Sequence, residues 1–403
     1  MRDVYTTIDG SVTAPKGFSA AGVACGIKVK GLDLAVITSD LPASVAAVFT
    51  TNLAQAAPIL VSRDHVATGG GKATAIVVNS GCANACTGED GMSHARAMAQ
   101  LTATALGCDV NRVLVSSTGV IGVKLEMSKV ERGISEAVGS RSSDGGPAAA
   151  RAIMTTDPFP KEIAIEVNSD AGTFRIGGIA KGSGMIEPMM ATMLAFLTTD
   201  AKVEPRLLQR ALGAVSDRTF NAITVDGECS TNDCVFALAN GASGVELGES
   251  DFDVLVDALL QVCEPLAVGI VRGGEGATKL INVRVVGATS DFDAKRTARA
   301  IANSPLVKTA IHGGDPNWGR LVAVAGRSGS AFKLDGAAVR IGSIELFANG
   351  RPYDERAPAV AEYLKRKEID IEVDLGTGGN GASRMWTCDL TADYVKINAE
   401  YRT

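Results

Sequence analysis

The segment Lys181–Ala201 reads KGSGMIEPMMATMLAFLTTDA. A lysine stands in a Gly-rich turn, Pro188 follows, and an apolar run begins at Ala191-Thr192-Met193-Leu194. A threonine hydroxyl is a poor nucleophile unless a base takes its proton, and no His or Asp adjoins Thr192 in the chain. If the chain breaks between Ala191 and Thr192, the new α-amino group, with an intrinsic pKa of about 7.7–8.0, serves as that base. This reading makes Thr192 a nucleophile and Ala191–Thr192 a self-cleavage point. The break would pass through an N→O acyl shift, which the small side chain of Ala191 does not obstruct. The bland alternative is a threonine near the start of a buried apolar helix.

Two further groups have chemistry open to them. Thr118-Gly119 closes an apolar stretch, and Gly there can serve simply as a turn residue with backbone freedom. A hydroxyl and a backbone N–H side by side can also stabilise the oxyanion of a tetrahedral intermediate. Lys181 is by default a solvated surface lysine; flanked by Gly182 and Gly184, it can instead hold a substrate carboxylate. Other motifs fall away. Gly376-Thr377-Gly378-Gly379-Asn380-Gly381 fits GxGxxG, but a strand-like run, Ser383–Cys388, follows it where a dinucleotide site needs a helix. It is read as a Gly-rich hairpin loop. Gly69-Gly70-Gly71-Lys72 lacks the spacing and hydroxyl of a phosphate-binding loop. His312 precedes Asp315-Pro316-Asn317, a rigid turn, and is given no chemistry.

The wider pattern resembles the ornithine acetyltransferase (glutamate N-acetyltransferase) family of arginine biosynthesis. Beside Lys181–Ala201, the matching blocks are Asn79–Gly88, Ser116–Gly122, Ile153–Asp157, Arg218–Asn221, Gly273–Gly276, Asn303–Thr309, His312–Arg320 and Val395–Thr403. The family commonly has Asn after the proline, where this chain has Met189. The resemblance implies acetyl transfer from N2-acetyl-L-ornithine to L-glutamate through an acetyl-Thr192 intermediate, with Thr118 and Gly119 as the oxyanion hole. It implies substrate contacts from Thr155 or Thr156, Lys181, Glu275, Asn398 and Thr403. Without the family, Thr155 and Thr156 read as a helix cap or turn, Glu275 as a turn residue and the tail as frayed. The resemblance also implies fragments 1–191 and 192–403, assembled as a heterotetramer of two of each. No cofactor and no metal are called for. Some family members take acetyl-CoA as a co-substrate, and the residues read here do not separate the two kinds. Two rivals keep fewer features: an amidase or aminopeptidase with water as acceptor, and an α/β amino-acid-binding protein with a structural Thr192.

The elements that would position these groups are alternating strands and helices. Strands are expected at Leu32–Ser39, Ala73–Asn79 and Val113–Ser117, and a helix at His94–Leu106. Glu162–Val167 and Thr173–Ile179 read as a hairpin leading into the Lys181 turn, after a polar loop at Ser140–Gly146. Helices are expected at Leu207–Val215, Phe252–Cys263, Phe292–Ala302 and Ala359–Arg366, with Pro265 as a stop for the second. Strands are expected at Leu280–Val286 and Ile369–Leu375. The fold class is α/β, with layered mixed sheets covered by helices, and the resemblance places it near the N-terminal-nucleophile class. The 403 residues allow about two to three domains, and 46% hydrophobic content is ample for a core. A net charge of −6 without a basic stripe argues against nucleic acid. No uncharged apolar stretch reaches membrane-spanning length and the N-terminus lacks a secretion pattern, so a cytoplasmic protein is expected. The 8 Cys, without zinc-type spacing, read as free thiols, most of them small buried hydrophobes.

Overall fold

The computed structural model describes residues 4–187 and 193–400. Ala191, Thr192 and Thr403 lie outside them. The chain forms two compact units, one of Met1–Asn221 with Glu228–Ile270, the other of Ala222–Gly227 with Val271–Arg402.

The first unit runs β1 Val4–Ile8, β2 Phe18–Val23, β3 Leu34–Phe49, α1 Ala57–Thr68, β4 Lys72–Cys82, α2 Gly88–Leu106, β5 Val113–Val120, α3 Met127–Ser140 and α4 Gly146–Ala152. It continues with β6 Lys161–Ser169, β7 Gly172–Lys181, β8 Leu194–Thr199, β9 Lys202–Val203, α5 Pro205–Arg218, β10 Cys234–Ala239, β11 Glu246–Leu247 and most of α6 Phe252–Arg272. Its nine-stranded sheet has the order β1-β6-β7-β8-β10-β3-β4-β5, with β2 also on β3. Pairing is mixed: β8 is antiparallel to β7 and parallel to β10, and β4 is parallel to β5. Alternate residues of β3 and β4 feed two cores. Leu34, Val36, Ala75 and Val77 join Met98, Ala99, Val130 and Ile134 of α2 and α3. Ala35, Ile37, Ile76 and Val78 join Ala149 and Ile153 at α4 with Phe196 and Phe236. This is the layered α/β architecture expected.

Strands β6 and β7 form the expected hairpin, Glu166 opposite Arg175. The apolar run after Thr192 is strand β8 and not a helix. All six residues of β8 are buried between two neighbouring strands, the setting in which a continuous apolar run becomes a strand. Pro265 does not stop α6, which runs on to Arg272. The missing N–H costs one helical bond, but Leu266, Ala267, Ile270 and Val271 are all buried beyond it. Helix α6 is long and apolar enough to span a membrane by composition. Its Val262 and Leu266 instead pack closely on β7: a Cβ added at Gly178 would meet each at 2.9 Å.

The second unit contains β12 Leu280–Ala288, α7 Asp291–Ala302, α8 Pro305–Gly313, α9 Trp318–Arg327, β13 Ala338–Ile341, β14 Ile344–Ala348, β15 Arg351–Pro352, α10 Ala357–Tyr363, β16 Glu368–Asp374, β17 Gly381–Cys388 and α11 Ala392–Glu400. Its sheet order is β15-β14-β13-β16-β12-β17. Strands β16 and β17 lie on either side of β12, so the Gly376–Gly381 loop crosses over that strand and is not a hairpin. A strand follows it, as expected. His312 Nδ1 lies 2.8 Å from Asp389, whose carboxylate also accepts from Thr278 and Lys279 N–H, an anchor for the end of α8. All 8 Cys are free, five of them buried.

Candidate active site

Two parallel strand ends set the first part of the site. On β4 and β5, Ser80 pairs with Thr118 and Gly81 with Gly119, and then the register slips so that Cys82 faces both Thr118 and Val120. This irregularity re-aims the chain at the Thr-Gly pair. Gly119 has φ +127°, and a Cβ there would lie 2.4 Å from the Gly81 carbonyl carbon. No other residue fits such a position without moving backbone. The end of β5 is tied down by buried hydrogen bonds: Ser117 Oγ donates to Asn79 at 2.6 Å, and Asn79 Nδ2 donates to the Cys82 carbonyl at 2.8 Å.

Strand β7 delivers Lys181 to the same place. Its ammonium donates to Thr118 Oγ1 at 3.2 Å, and the side chain is only 5% exposed. Lys181 is therefore not the solvated lysine of the default reading. On β8, Leu194 pairs with Lys181, so the strand that begins two residues after Thr192 lies directly beside that lysine.

Asp157 joins the Thr155–Thr156 loop to this centre. Its carboxylate accepts from Thr155 N–H at 3.0 Å, from Gly182 N–H at 2.7 Å and from Lys161 Nζ at 2.6 Å. Burial pushes its pKa up, but the charges of Lys181 and Lys161 and the bonds from Lys161 and Gly182 outweigh it and hold the pKa at about 2. Lys161 is itself lowered, by burial first, with Asp157 opposing. Lys28 donates to the Met154 carbonyl at 2.8 Å and is lowered by burial, with Lys181 adding to the effect and Asp33 and Asp157 opposing it. Three ammonium groups thus surround one firmly ionised carboxylate beside the partly exposed Thr155 and Thr156. Such a cluster favours an anionic ligand.

The predicted residues of the second unit form a pair of their own. Glu275 is buried in the loop after α6, and Asn398 of α11 donates to its Oε2 at 2.8 Å. Thr391 Oγ1 donates to the Gly276 carbonyl at 2.8 Å and fixes the start of α11 on that loop. The tail is therefore helical to Glu400 and tied to this loop as far as Asn398.

Of the predicted residues, Thr118, Gly119, Thr155, Thr156 and Lys181 fall together in the first unit, and Glu275 with Asn398 in the second. Asp157 falls within the Ile153–Asp157 block but has no role on sequence grounds, and Lys28, Lys161 and Asp233 have none in that reading. Pro158 and Pro160 around Phe159 conceal the Asp157–Lys161 pair, because no helix brings residues four apart together there. For Asp233 the available signal is an acid directly before the fully apolar Cys234–Ala239.

The chain matches the family model described as ArgJ family over residues 19–403. It is 49% identical to the arginine biosynthesis bifunctional protein ArgJ of a Synechococcus species, over 100% of each chain. It is 48% identical to the protein of the same name in Symbiobacterium thermophilum, over 98% of this chain and 99% of that one. Among solved structures, an ornithine acetyltransferase from Mycobacterium tuberculosis, complexed with ornithine, is 37% identical. It covers 47% of this chain and 100% of that one, with a TM-score of 0.43.

Proposed function

Because this chain belongs to the ArgJ family, we propose that it is the acetyltransferase of arginine biosynthesis that moves an acetyl group from N2-acetyl-L-ornithine to L-glutamate. The observation that carries the site reading is the 3.2 Å contact between Lys181 Nζ and Thr118 Oγ1, at the point where β8 enters the sheet. It joins two residues that are 63 apart in the chain and were each singled out for chemistry.

The chain cleaves itself between Ala191 and Thr192. The freed amine of Thr192 takes the hydroxyl proton, and Oγ attacks the acetyl carbonyl. The Thr118 hydroxyl and Gly119 N–H stabilise the oxyanion, with Lys181 charge-assisting Thr118. Ornithine leaves with the proton returned by the amine, and the α-amine of glutamate then attacks the acetyl ester. The ammonium groups of Lys181, Lys28 and Lys161 attract the substrate carboxylate, beside Thr155 or Thr156. By the family resemblance Glu275, Asn398 and Thr403 also contact substrate, Glu275 through a substrate ammonium. Acetyl-CoA is the donor in the second activity that the word bifunctional suggests for the relatives. The enzyme acts in the cytoplasm as a heterotetramer of two 1–191 and two 192–403 fragments.

The intact mass of the denatured protein tests the reading first. Two fragments beginning at Met1 and Thr192, summing to the 41.4 kDa chain plus one water, are expected. Incubation with N2-acetylornithine should then add one acetyl group to the second fragment, and glutamate should remove it. A chain that stays whole, or a fragment that takes no acetyl group, overturns the proposal.

A further inference from the structure

Asp233 is a buried acid that the mechanism above leaves unused. It precedes β10, which runs parallel to β8 with Cys234 opposite Leu194. Cys234 N–H donates to the Met193 carbonyl at 3.2 Å. Asp233 therefore lies alongside Met193, the residue covalently joined to Thr192. Its own carbonyl accepts from Thr50 N–H at 2.9 Å, which fixes its place in the sheet.

The side chain is 3% exposed, and its Oδ2 finds no hydrogen-bond partner among the described residues. The backbone N–H groups of Met193 and Ser230 face the carboxyl. A carboxylate this buried with one oxygen unsatisfied is costly, whereas a neutral carboxyl offers a donor with nothing yet to donate to. Burial raises its pKa well above the ordinary carboxylate range, and the charge of Lys181 opposes without reversing this. The other titratable groups facing it are the thiols of Cys229 and Cys234, both raised by burial and neutral.

We propose that the Asp233 carboxyl is the proton carrier of the self-cleavage at Ala191–Thr192. The inference rests on the cleavage reading given above. Thr192 Oγ forms a bond to the Ala191 carbonyl carbon, and the Ala191–Thr192 C–N bond breaks with its electron pair passing to nitrogen. The carboxyl gives its proton to that nitrogen and recovers the one that Oγ releases. The peptide has become an ester, one proton has moved from oxygen to nitrogen, and Asp233 ends as it began. Water then hydrolyses the ester, leaving a carboxyl on Ala191 and a hydroxyl and free amine on Thr192.

The test uses the full chain made by cell-free translation, quenched in denaturant at intervals and read by intact mass. Wild type, Thr192→Ala, Asp233→Asn and Asp233→Glu are compared. Wild type should pass to two fragments and Thr192→Ala should stay whole. Asp233→Asn should keep a cooperative thermal transition yet cleave about 100-fold more slowly, the usual contribution of a general acid. Asp233→Glu should recover part of that loss. As pH rises the wild-type rate should fall where the carboxyl ionises, above the ordinary carboxylate range, and the residual Asp233→Asn rate should be flat. Cleavage of Asp233→Asn within about threefold of wild type, with Thr192→Ala whole, removes Asp233 and leaves the cleavage reading standing. A wild-type chain that never cleaves defeats the cleavage reading itself. Should Asp233→Asn fail to fold, the wild-type pH profile decides: a rate independent of pH overturns the assignment.

Discussion

Gly119→Ala offers a sharp check on how the Thr118–Gly119 corner is built. The added Cβ would stand 2.4 Å from Gly81 C, 2.6 Å from Cys82 N and 2.7 Å from Gly81 Cα. All three are backbone atoms of β4, so no side chain can swing aside. Relief must come from pulling β5 off β4 at the point where the register already slips. The cost has two parts. Holding a non-glycine residue at φ +127° is worth about 1–3 kcal/mol, and the overpacking a further 1–3 kcal/mol. Gly122→Ala separates them, because Gly122 also has positive φ (+79°) but its Cβ would meet nothing within 4 Å. Gly119→Ala should therefore lose about 4 kcal/mol against about 2 kcal/mol for Gly122→Ala. In a domain of this size those losses lower the melting temperature by about 8–16 °C and about 4–8 °C. Calorimetry on both variants reads the stability, and intact mass reads whether Gly119→Ala, with Thr118 displaced, still cleaves. Equal melting temperatures for the two variants would refute the close-approach argument, and a fully cleaving, fully active Gly119→Ala would remove Gly119 from the chemistry.

Asp157→Asn should cost about 3–5 kcal/mol in urea unfolding at neutral pH, because it strands the buried Lys161 beside Lys181. Asp157 has a folded pKa of about 2 against an ordinary 3.8, so its roughly 2 kcal/mol of linked stability is complete above about pH 4 and fades as pH falls toward about 2. The Asn variant should lack that acid-dependent component, and parallel pH profiles for the two proteins would contradict the assignment. Thr118→Val should leave the melting temperature nearly unchanged but reduce kcat by about 10²–10³, the usual effect of losing one oxyanion donor; an unchanged kcat counts against the role. Initial rates with varied acetylornithine and glutamate should give parallel double-reciprocal lines, as a covalent acetyl-enzyme requires, and intersecting lines exclude it.

The parts of the fold legible in the sequence are those governed by local pattern. The alternation in Glu162–Val167 and Thr173–Ile179 yields β6 and β7, and the short turn between them leaves little freedom. Helices α5 and α7 start within two residues of expectation. Expected strands were cut short at their ends: β5 runs on through Thr118 to Val120, and β3 runs on to Phe49. The order of strands was not legible, since β12 separates β16 from β17 and no local signal announces an insertion between them. Helix α6 outlasts Pro265 because burial of the next turns, a tertiary quantity, overrides a local breaker. In the site, Lys181 and Thr118 were legible as separate motifs, but their contact depends on β7 and β5 reaching one place across four intervening strands. The cluster of Lys28, Lys161 and Asp157 was not legible, because it is assembled from different segments and its charges look ordinary one at a time.

The interior position of β8 changes what kind of object the protein is. Its six residues pair on one side with β7, whose end precedes residue 191, and on the other with β10, which follows 192. A chain cut at Ala191–Thr192 has therefore turned a ladder within one molecule into an association between two. Before the cut, recovery from unfolding is first order and indifferent to dilution. Afterwards it requires an encounter, so recovery slows as concentration falls. On the proposed cleavage, folding comes first and cutting second, and the order cannot be rerun from separated pieces at low concentration. The lifetime of the working enzyme is then set by how slowly the sheet opens and no longer by a balance between two states of one chain.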